Sequence, residues 1–146
     1  MKYKRVLLKV SGEALSGKTP IDFEKTTETA LQIKALHDAG CLLGVVVGGG
    51  NIWRGRSGGT MDRSRADNIG MLATAMNALA LEQALIDLNV PVRVLSAVSM
   101  DMFMDSYSAR EANKSVDAGT VVIFACGSAF LFHGYGIGAP CCSDSR

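Results

Sequence analysis

The sequence lacks the features that mark several large classes of proteins. No apolar run reaches the roughly 18 to 20 residues that cross a bilayer, and the N-terminal apolar stretch is too short for a secretory signal. Lys and Arg number 15 against 14 Asp and Glu, so the chain has no broad basic field for nucleic acid or an anionic membrane. The four cysteines, including the adjacent Cys141 and Cys142, follow neither a disulfide nor a zinc pattern. We therefore expect a cytoplasmic globular protein that binds neither nucleic acid nor a membrane and has no metal site of its own.

What the sequence does contain is an alternation of apolar stretches and helix-like stretches. The predicted strands are residues 5–10, 41–47, 90–95 and 120–125. Residues 23–39 place apolar side chains at near-helical spacing, with Asp22 positioned to cap this helix and Gly40 to end it. Strands separated by helices in this rhythm predict an α/β fold with a parallel sheet.

Residues 69–88 form a second predicted helix, which is apolar on two faces. Leu72 and Met76 lie on one face, whereas Ala75 and Ala78 lie on another. A helix that is apolar nearly all round has to bury both faces. One face can pack on the sheet. The other face is expected either to form a subunit contact or to be covered by a later part of the chain.

One apparent motif is misleading. Residues 12–19 fit the P-loop pattern, in which a helix begins at Gly-Lys-Thr and points its backbone N–H groups at a phosphate. Pro20 follows Thr19 directly and biases it away from helical geometry. Because Asp22 offers a later cap, the sequence predicts a helix that begins after Asp22 and argues against a P-loop.

Small residues and cations follow the first two predicted strands. The first strand ends at Lys9 and Val10 and is followed by Ser11 and Gly12, while the second is followed by residues 48–51 and then Arg54. Parallel sheets bind ligands beyond the carboxyl ends of their strands, and glycine and arginine both suit phosphate there. Each feature alone also fits an edge lysine that reaches water or a flexible glycine turn. Together the two strand ends favour phosphate binding.

Three longer motifs carry a resemblance to a known family. They are Lys-Val-Ser-Gly-Glu-Ala-Leu at residues 9–15, Val-Val-Val-Gly-Gly-Gly-Asn-Ile-Trp-Arg-Gly at 45–55, and Asp-Asn-Ile-Gly-Met-Leu-Ala-Thr-Ala-Met-Asn at 67–77. With these motifs, residues 4–127 resemble the bacterial uridylate (UMP) kinases of the amino-acid-kinase family. The resemblance implies a parallel αβα sandwich and transfer of the γ-phosphate of ATP to UMP, which gives UDP for pyrimidine nucleotide synthesis.

The resemblance also implies roles for individual residues. The ATP phosphates would contact Lys9, Val10, Ser11, Gly12, Gly50 and Arg54, and Lys9 would neutralise charge on the phosphoryl group during transfer. Gly49 and Asp67 would contact UMP. The alternative for Asp67 is a cap of the long helix, and the two roles can coexist. The same resemblance implies Mg²⁺ with ATP, a homohexamer in which the helix containing Met76 packs between subunits, and GTP and UTP as effectors.

The resemblance stops after Gly127. Residues 128–146 have no clear helical or strand period and lack the family's next motif. Possible codons for these residues, shifted by one nucleotide, spell Pro-Phe-Phe-Ser-Thr-Asp-Thr-Ala, which is that motif. Our hypothesis is a frameshift near Ser128, and the alternative is a divergent tail; the nucleotide sequence of the gene distinguishes them.

The predicted organisation is therefore a truncated amino-acid-kinase domain. Residues 1–127 would form its N-terminal, UMP-side part, and residues 128–146 would be a poorly ordered tail outside the family. Such a chain would lose most of the adenine pocket and could be inactive. Two alternatives to UMP phosphorylation remain: an amino-acid kinase that acts on a carboxylate or carbamate, and a non-catalytic fragment that oligomerises or binds nucleotides.

Overall fold

The computed structural model describes residues 3–55 and 59–127. The strands are β1 (Arg5–Val10), β2 (Leu42–Val47), β3 (Val92–Ser96), β4 (Asp105–Ser106) and β5 (Val121–Ala125). The helices are α1 (Phe23–Asp38), α2 (Arg63–Asp87) and α3 (Ala109–Asp117), and a short 3-10 turn covers Gly12–Leu15. Residues 128–146, on which the frameshift and the poorly ordered tail were predicted, lie outside the described residues.

The five strands form one sheet in the order β1-β2-β5-β3-β4, and every pair is parallel. This confirms the α/β fold with a parallel sheet. The last strand among the described residues, β5, lies between β2 and β3, and all five of its residues are buried. A strand buried on both faces in the middle of a parallel sheet reads as a continuous apolar run, as Val-Val-Ile-Phe-Ala does.

Helices cover both faces of the sheet. Apolar residues of α1 and α2, among them Ile33 and Leu81, pack with Val45 and Ile123 on one face. On the other face, two residues of α3 pack with three of the sheet: Ala112, Val116, Leu95, Val122 and Phe124. The molecule is thus the three-layer sandwich that the resemblance implied. Both β4 and α3 were missed from the sequence, because two residues and nine residues are too few to show a period.

Both long helices begin at an aspartate cap. The side chain of Asp22 accepts a hydrogen bond from the backbone N–H of Lys25, so α1 starts at Phe23 as predicted, and the Gly-Lys-Thr segment is not a helix start. The cap of α2 is Asp62, which accepts from the N–H of Arg65. The interpretation of Asp67 as the cap is therefore wrong, and α2 begins six residues earlier than predicted, at residue 63 instead of 69.

Helix α2 is buried on one side only. Ala75, Ala78 and Leu85 pack on the sheet, whereas Leu72 and Met76 are each 52% exposed. The helix is long and apolar enough to cross a membrane by length and composition alone, and several of its buried residues belong to the core. Within residues 3–55 and 59–127, nothing covers the outer face, and this leaves the choice between a subunit contact and a later part of the chain open.

Candidate phosphate-binding site

The turns that follow β1 and β2 lie in direct contact. Val10 pairs with Val47 at the carboxyl ends of the two strands, and the N–H of Gly48 donates to the carbonyl of Val10 at 2.9 Å. A Cβ atom on Gly12 would lie 2.4 Å from Oδ1 of Asn51 and 2.9 Å from the carbonyl oxygen of Gly48. Only glycine fits such a contact. The two strand ends that the sequence singled out therefore adjoin.

Each of the three consecutive glycines meets a different environment. A Cβ atom on Gly48 would lie 3.3 Å from the backbone nitrogen of Gly12. Gly49 lies against α2, where a Cβ would be 2.9 Å from Cβ of Ala73 and 3.0 Å from the carbonyl oxygen of Gly70. Gly50 has no atom within 4 Å of a built Cβ. The backbone is thus open to a ligand at Gly50. At Gly49 a side chain would collide with α2, so the close packing of this helix already requires glycine there.

Arg54 joins the two turns. Its Nε donates to the carbonyl of Gly50 at 3.2 Å, and its guanidinium forms an ion pair with the carboxylate of Glu13 in the 3-10 turn. Ser11 caps that turn, since its Oγ accepts from the N–H of Glu13. Sequence reasoning placed Arg54 here correctly but missed its partner. The Glu13 carboxylate stands where an anionic ligand of Arg54 would be expected.

Lys9 occupies the last but one position of β1, opposite Val46 of β2. Side chains alternate along a strand, so Lys9 projects from the same face as Leu7, which packs on the α3 side of the sheet. Its side chain is exposed, and the interactions described for residues 3–55 and 59–127 include no ion pair to it. Among the described residues, Lys9 thus has no ion-pair partner, and it lies one residue before Val10, at the end of β1.

A pair of asparagines, one of them missed from the sequence, holds the glycine turn on α2. Nδ2 of Asn77 donates to the carbonyl of Gly48 and to Oδ1 of Asn51, both at 2.7 Å. Nδ2 of Asn51 donates back to Oδ1 of Asn77 at 3.0 Å and to the carbonyl of Pro20 at 2.7 Å. Asn77 is fully buried. The sequence did contain a signal for this role of Asn77, which is the single amide in an otherwise apolar stretch of the helix. A buried polar group needs hydrogen-bond partners, so such an amide indicates a specific contact.

A cleft of about 500 Å³ opens beside the glycine turn. Asp67, Gly70 and Thr74 of α2 line one side, and Trp53 and Gly127 are among the other lining residues. Asp67 is exposed, in the second turn of the helix. Since Gly49 contacts Gly70, the cleft adjoins the turn that carries Gly50 and Arg54. The structure thus places Asp67 in the cleft, which Gly49 adjoins through Gly70, and places Gly12, Gly50 and Arg54 in the neighbouring turns.

The end of β5 closes the cleft with a constrained backbone. Cys126 is buried and has a positive φ of 56°, which is uncommon for a residue other than glycine. Its N–H donates to Oγ1 of Thr74 at 3.0 Å, and its thiol to the carbonyl of Met71 at 3.4 Å. These bonds to α2 fix the point at which Gly127 enters the cleft.

Asp22 holds the segment between the 3-10 turn and α1. Its carboxylate accepts from the N–H of Lys25 and from the N–H of Lys18. The bond from Lys25 is the main reason that the pKa of Asp22 lies below its usual range, with the bond from Lys18 adding to it. The Gly-Lys-Thr segment is thus tied to a helix cap and does not form a phosphate-binding loop.

The chain is similar to the model of one family and to solved structures of kinases. The model of the amino acid kinase family matches residues 4–138. The UMP kinase of Ureaplasma parvum is 41% identical with a TM-score of 0.81, covering 86% of this chain and 57% of its own. The UMP kinase of Bacillus anthracis is 37% identical with a TM-score of 0.82, covering 86% of this chain and 54% of its own.

A more distant match shows the fold alone. The aspartate kinase of Synechocystis is 17% identical with a TM-score of 0.57, over 82% of this chain and 21% of its own. The chain spans a little over half the length of the two UMP kinases. With the family model matching most of its residues, the chain belongs to the amino acid kinase family.

Proposed function

We propose that this chain carries the UMP-side part of a nucleoside monophosphate kinase, which transfers the γ-phosphate of ATP to UMP and yields UDP for pyrimidine nucleotide synthesis. The main support is the contact between the turns at Gly12 and at residues 48–51 in a chain 41% identical to a UMP kinase. Phosphoryl transfer depends on positioning and on cations around the phosphates more than on covalent chemistry. Glycine turns with Lys9 and Arg54 beside them suit that requirement.

The arrangement suggests a division of roles. The ATP phosphates lie along Lys9, Val10, Ser11 and Gly12 and against Gly50, with Arg54 as a second cation. UMP occupies the cleft beside Gly49, where the Asp67 carboxylate accepts hydrogen bonds from the ribose hydroxyls. Lys9 balances the charge on the phosphoryl group as it moves from ATP to UMP, which makes it the catalytic residue.

Mg²⁺ accompanies ATP in this proposal. Among residues 3–55 and 59–127 there is no group of three or more Asp, Glu, His or Cys side chains placed to hold a metal ion. Mg²⁺ in nucleotide sites is held mostly by substrate phosphates and water, and the ion is proposed to be bound through the phosphates of ATP. The other proposed properties are a cytoplasmic location, GTP and UTP as effectors, and a homohexamer that uses the outer face of α2 around Met76.

Two assays with the full 146-residue chain separate this function from its alternatives. Calorimetry measures binding of UMP and of ATP with Mg²⁺, and a coupled assay measures UMP-dependent formation of ADP. Turnover with UMP supports the proposal, and turnover with a carboxylate or carbamate instead indicates another amino acid kinase. UMP binding without turnover favours a non-catalytic nucleotide-binding fragment. If the chain binds neither nucleotide, the proposal is wrong.

The role of Lys9 is tested by substitution. We expect Lys9→Ala to lower turnover by at least about a hundredfold, because the transferred charge loses its cation, while circular dichroism and the melting temperature stay unchanged. Lys4→Ala, which removes an exposed lysine just before β1, is the matched control and should keep full activity. Unchanged activity of Lys9→Ala would exclude the assigned role.

A further inference from the structure

The reciprocal bonds between Asn51 and Asn77 form a closed network. Each side chain donates two hydrogen bonds through its Nδ2 group and accepts one from the other through its Oδ1 atom. The network ends on two backbone carbonyls, those of Gly48 and Pro20. A buried polar network in which every donor is used has a single arrangement, and it loses that arrangement when one member is removed.

The network joins three separate parts of the chain. Asn77 lies in the middle of α2, Asn51 ends the glycine turn, and Pro20 belongs to the segment before α1. The turn has no side chains of its own at Gly48, Gly49 and Gly50, so its conformation has to be held from outside. The amide pair supplies that support through the carbonyl of Gly48 and the side chain of Asn51.

Burial makes the choice of asparagine informative. Asn77 is 0% exposed and shares its helix face with the buried Ala73, Leu81 and Ala84. An apolar side chain would suit such a core position better unless the amide had a specific task, because burying an amide costs free energy that its hydrogen bonds only offset. Here those bonds go to the backbone of the turn and to Asn51.

We propose that Asn77 is a positioning residue for the phosphate-binding turn, and that it acts through Asn51 to hold the Gly50 backbone and Arg54 in register with α2. The inference rests on the proposed function of this turn. According to this proposal, the two amide side chains hold the turn rigid before any nucleotide binds. It also means that α2 and the phosphate cradle move as one unit.

The first measurement needs no ligand. The N–H groups of Ile52 and Trp53 both donate to the carbonyl of Gly49 at 3.0 Å, so their hydrogen exchange reports on the turn. In Asn77→Leu and in Asn51→Ala, exchange at these two amides should rise about tenfold, while the amides of β5 keep their protection. Asn51 is only half-buried, so Asn51→Ala remains informative if Asn77→Leu does not fold. Gln83→Leu, at an exposed amide on the same helix, is the control.

The second measurement is the affinity for ATP with Mg²⁺, by calorimetry on the full chain. Each variant should bind about tenfold more weakly, since small displacements of positioning groups are costly. The double variant should bind no more weakly than either single one, because both act through the same bonds. Unchanged exchange at Ile52 and Trp53, unchanged affinity, or additive losses would each overturn the inference. If the wild-type chain binds no ATP, the proposed function fails, and the exchange result alone decides whether Asn77 positions the turn.

Discussion

Without a ligand, Arg54 is already paired with a carboxylate of the protein. The Glu13 carboxylate pairs with its guanidinium across the two turns, although both side chains are more than half exposed. Exposed ion pairs stabilise a protein only slightly. A nucleotide phosphate can therefore displace Glu13, but it has to overcome this pair and the negative charge that it places in the cradle.

Removal of that charge should strengthen binding. We expect Glu13→Gln to lower the dissociation constant for ATP about two- to fivefold at low salt, as expected from the strength of an exposed pair, with a smaller gain at high salt because of screening. Glu24→Gln, at an exposed glutamate in the first turn of α1, should leave the constant unchanged. Weaker binding in Glu13→Gln would instead show that Glu13 holds Arg54 in its productive position.

The stability of the fold should depend on pH through the carboxyl group of Glu82. Burial is the main reason that the pKa of this carboxyl is raised, and the nearby Asp105 raises it further. With its folded pKa above its unfolded pKa, this group contributes stability below the unfolded pKa, and that contribution is lost as the pH rises through the folded pKa. Glu82→Gln should therefore raise the melting temperature at pH 7 and leave it unchanged near pH 4. An equal effect at both values would contradict this assignment.

At the scale of the element, α3 shows how a short helix can depend on its cap. Its sequence has few apolar residues, and two of them, Ala112 and Val116, pack on the face of the sheet that Val122 and Phe124 share. Its start is defined by Ser108, whose Oγ accepts from the N–H of Glu111 at 3.1 Å. Ser-x-x-Glu is a capping-box sequence, so this signal was present in the sequence.

Loss of the cap should destabilise the domain measurably. Ser108→Ala is expected to lower the free energy of unfolding by about 1 kcal/mol, which is typical for a lost N-cap. Urea denaturation followed by circular dichroism gives the value. Ser99→Ala, at an exposed serine in the loop before β4, is the control and should change it by less than about 0.5 kcal/mol. Equal stability of the two variants would mean that the Ser108 bond does not fix α3.

For the molecule as a whole, the feature without a described neighbour is the outer face of α2. Leu72, Met76 and Ile86 are each about half exposed along one side of this helix. We expect this face to form the subunit contact. Sedimentation of the full chain should then show association that depends on concentration, and Met76→Lys should abolish it. Leu31→Lys, at an equally exposed apolar residue of α1, should not. A monomeric wild-type chain would contradict the subunit contact.

Local chemistry made part of this molecule predictable. The aspartate at position 22, the glycine-rich run at 48–50 and the continuous apolar strands act through near neighbours in the chain, so their patterns indicated the first helix, the turn and the parallel sheet. The cap of α2 was less predictable, because Asp62 is followed by the polar residues 63–65, whereas Asp67 lies two residues before the apolar run that begins at Ile69. Asp62 is the cap because its carboxylate reaches the N–H group of Arg65, at the start of the helix.

By itself the sequence determined the α/β class, the turns of small residues after β1 and β2, and the family resemblance. All of these follow from residue types over short spans. Only the tertiary structure decided that β5 lies between β2 and β3, that Glu13 holds Arg54, and that Asn77 ties the glycine turn to α2. Those three facts join residues that are from 26 to more than 70 positions apart. Contacts at such separations depend on how the layers pack, and no local pattern in the chain specifies that packing.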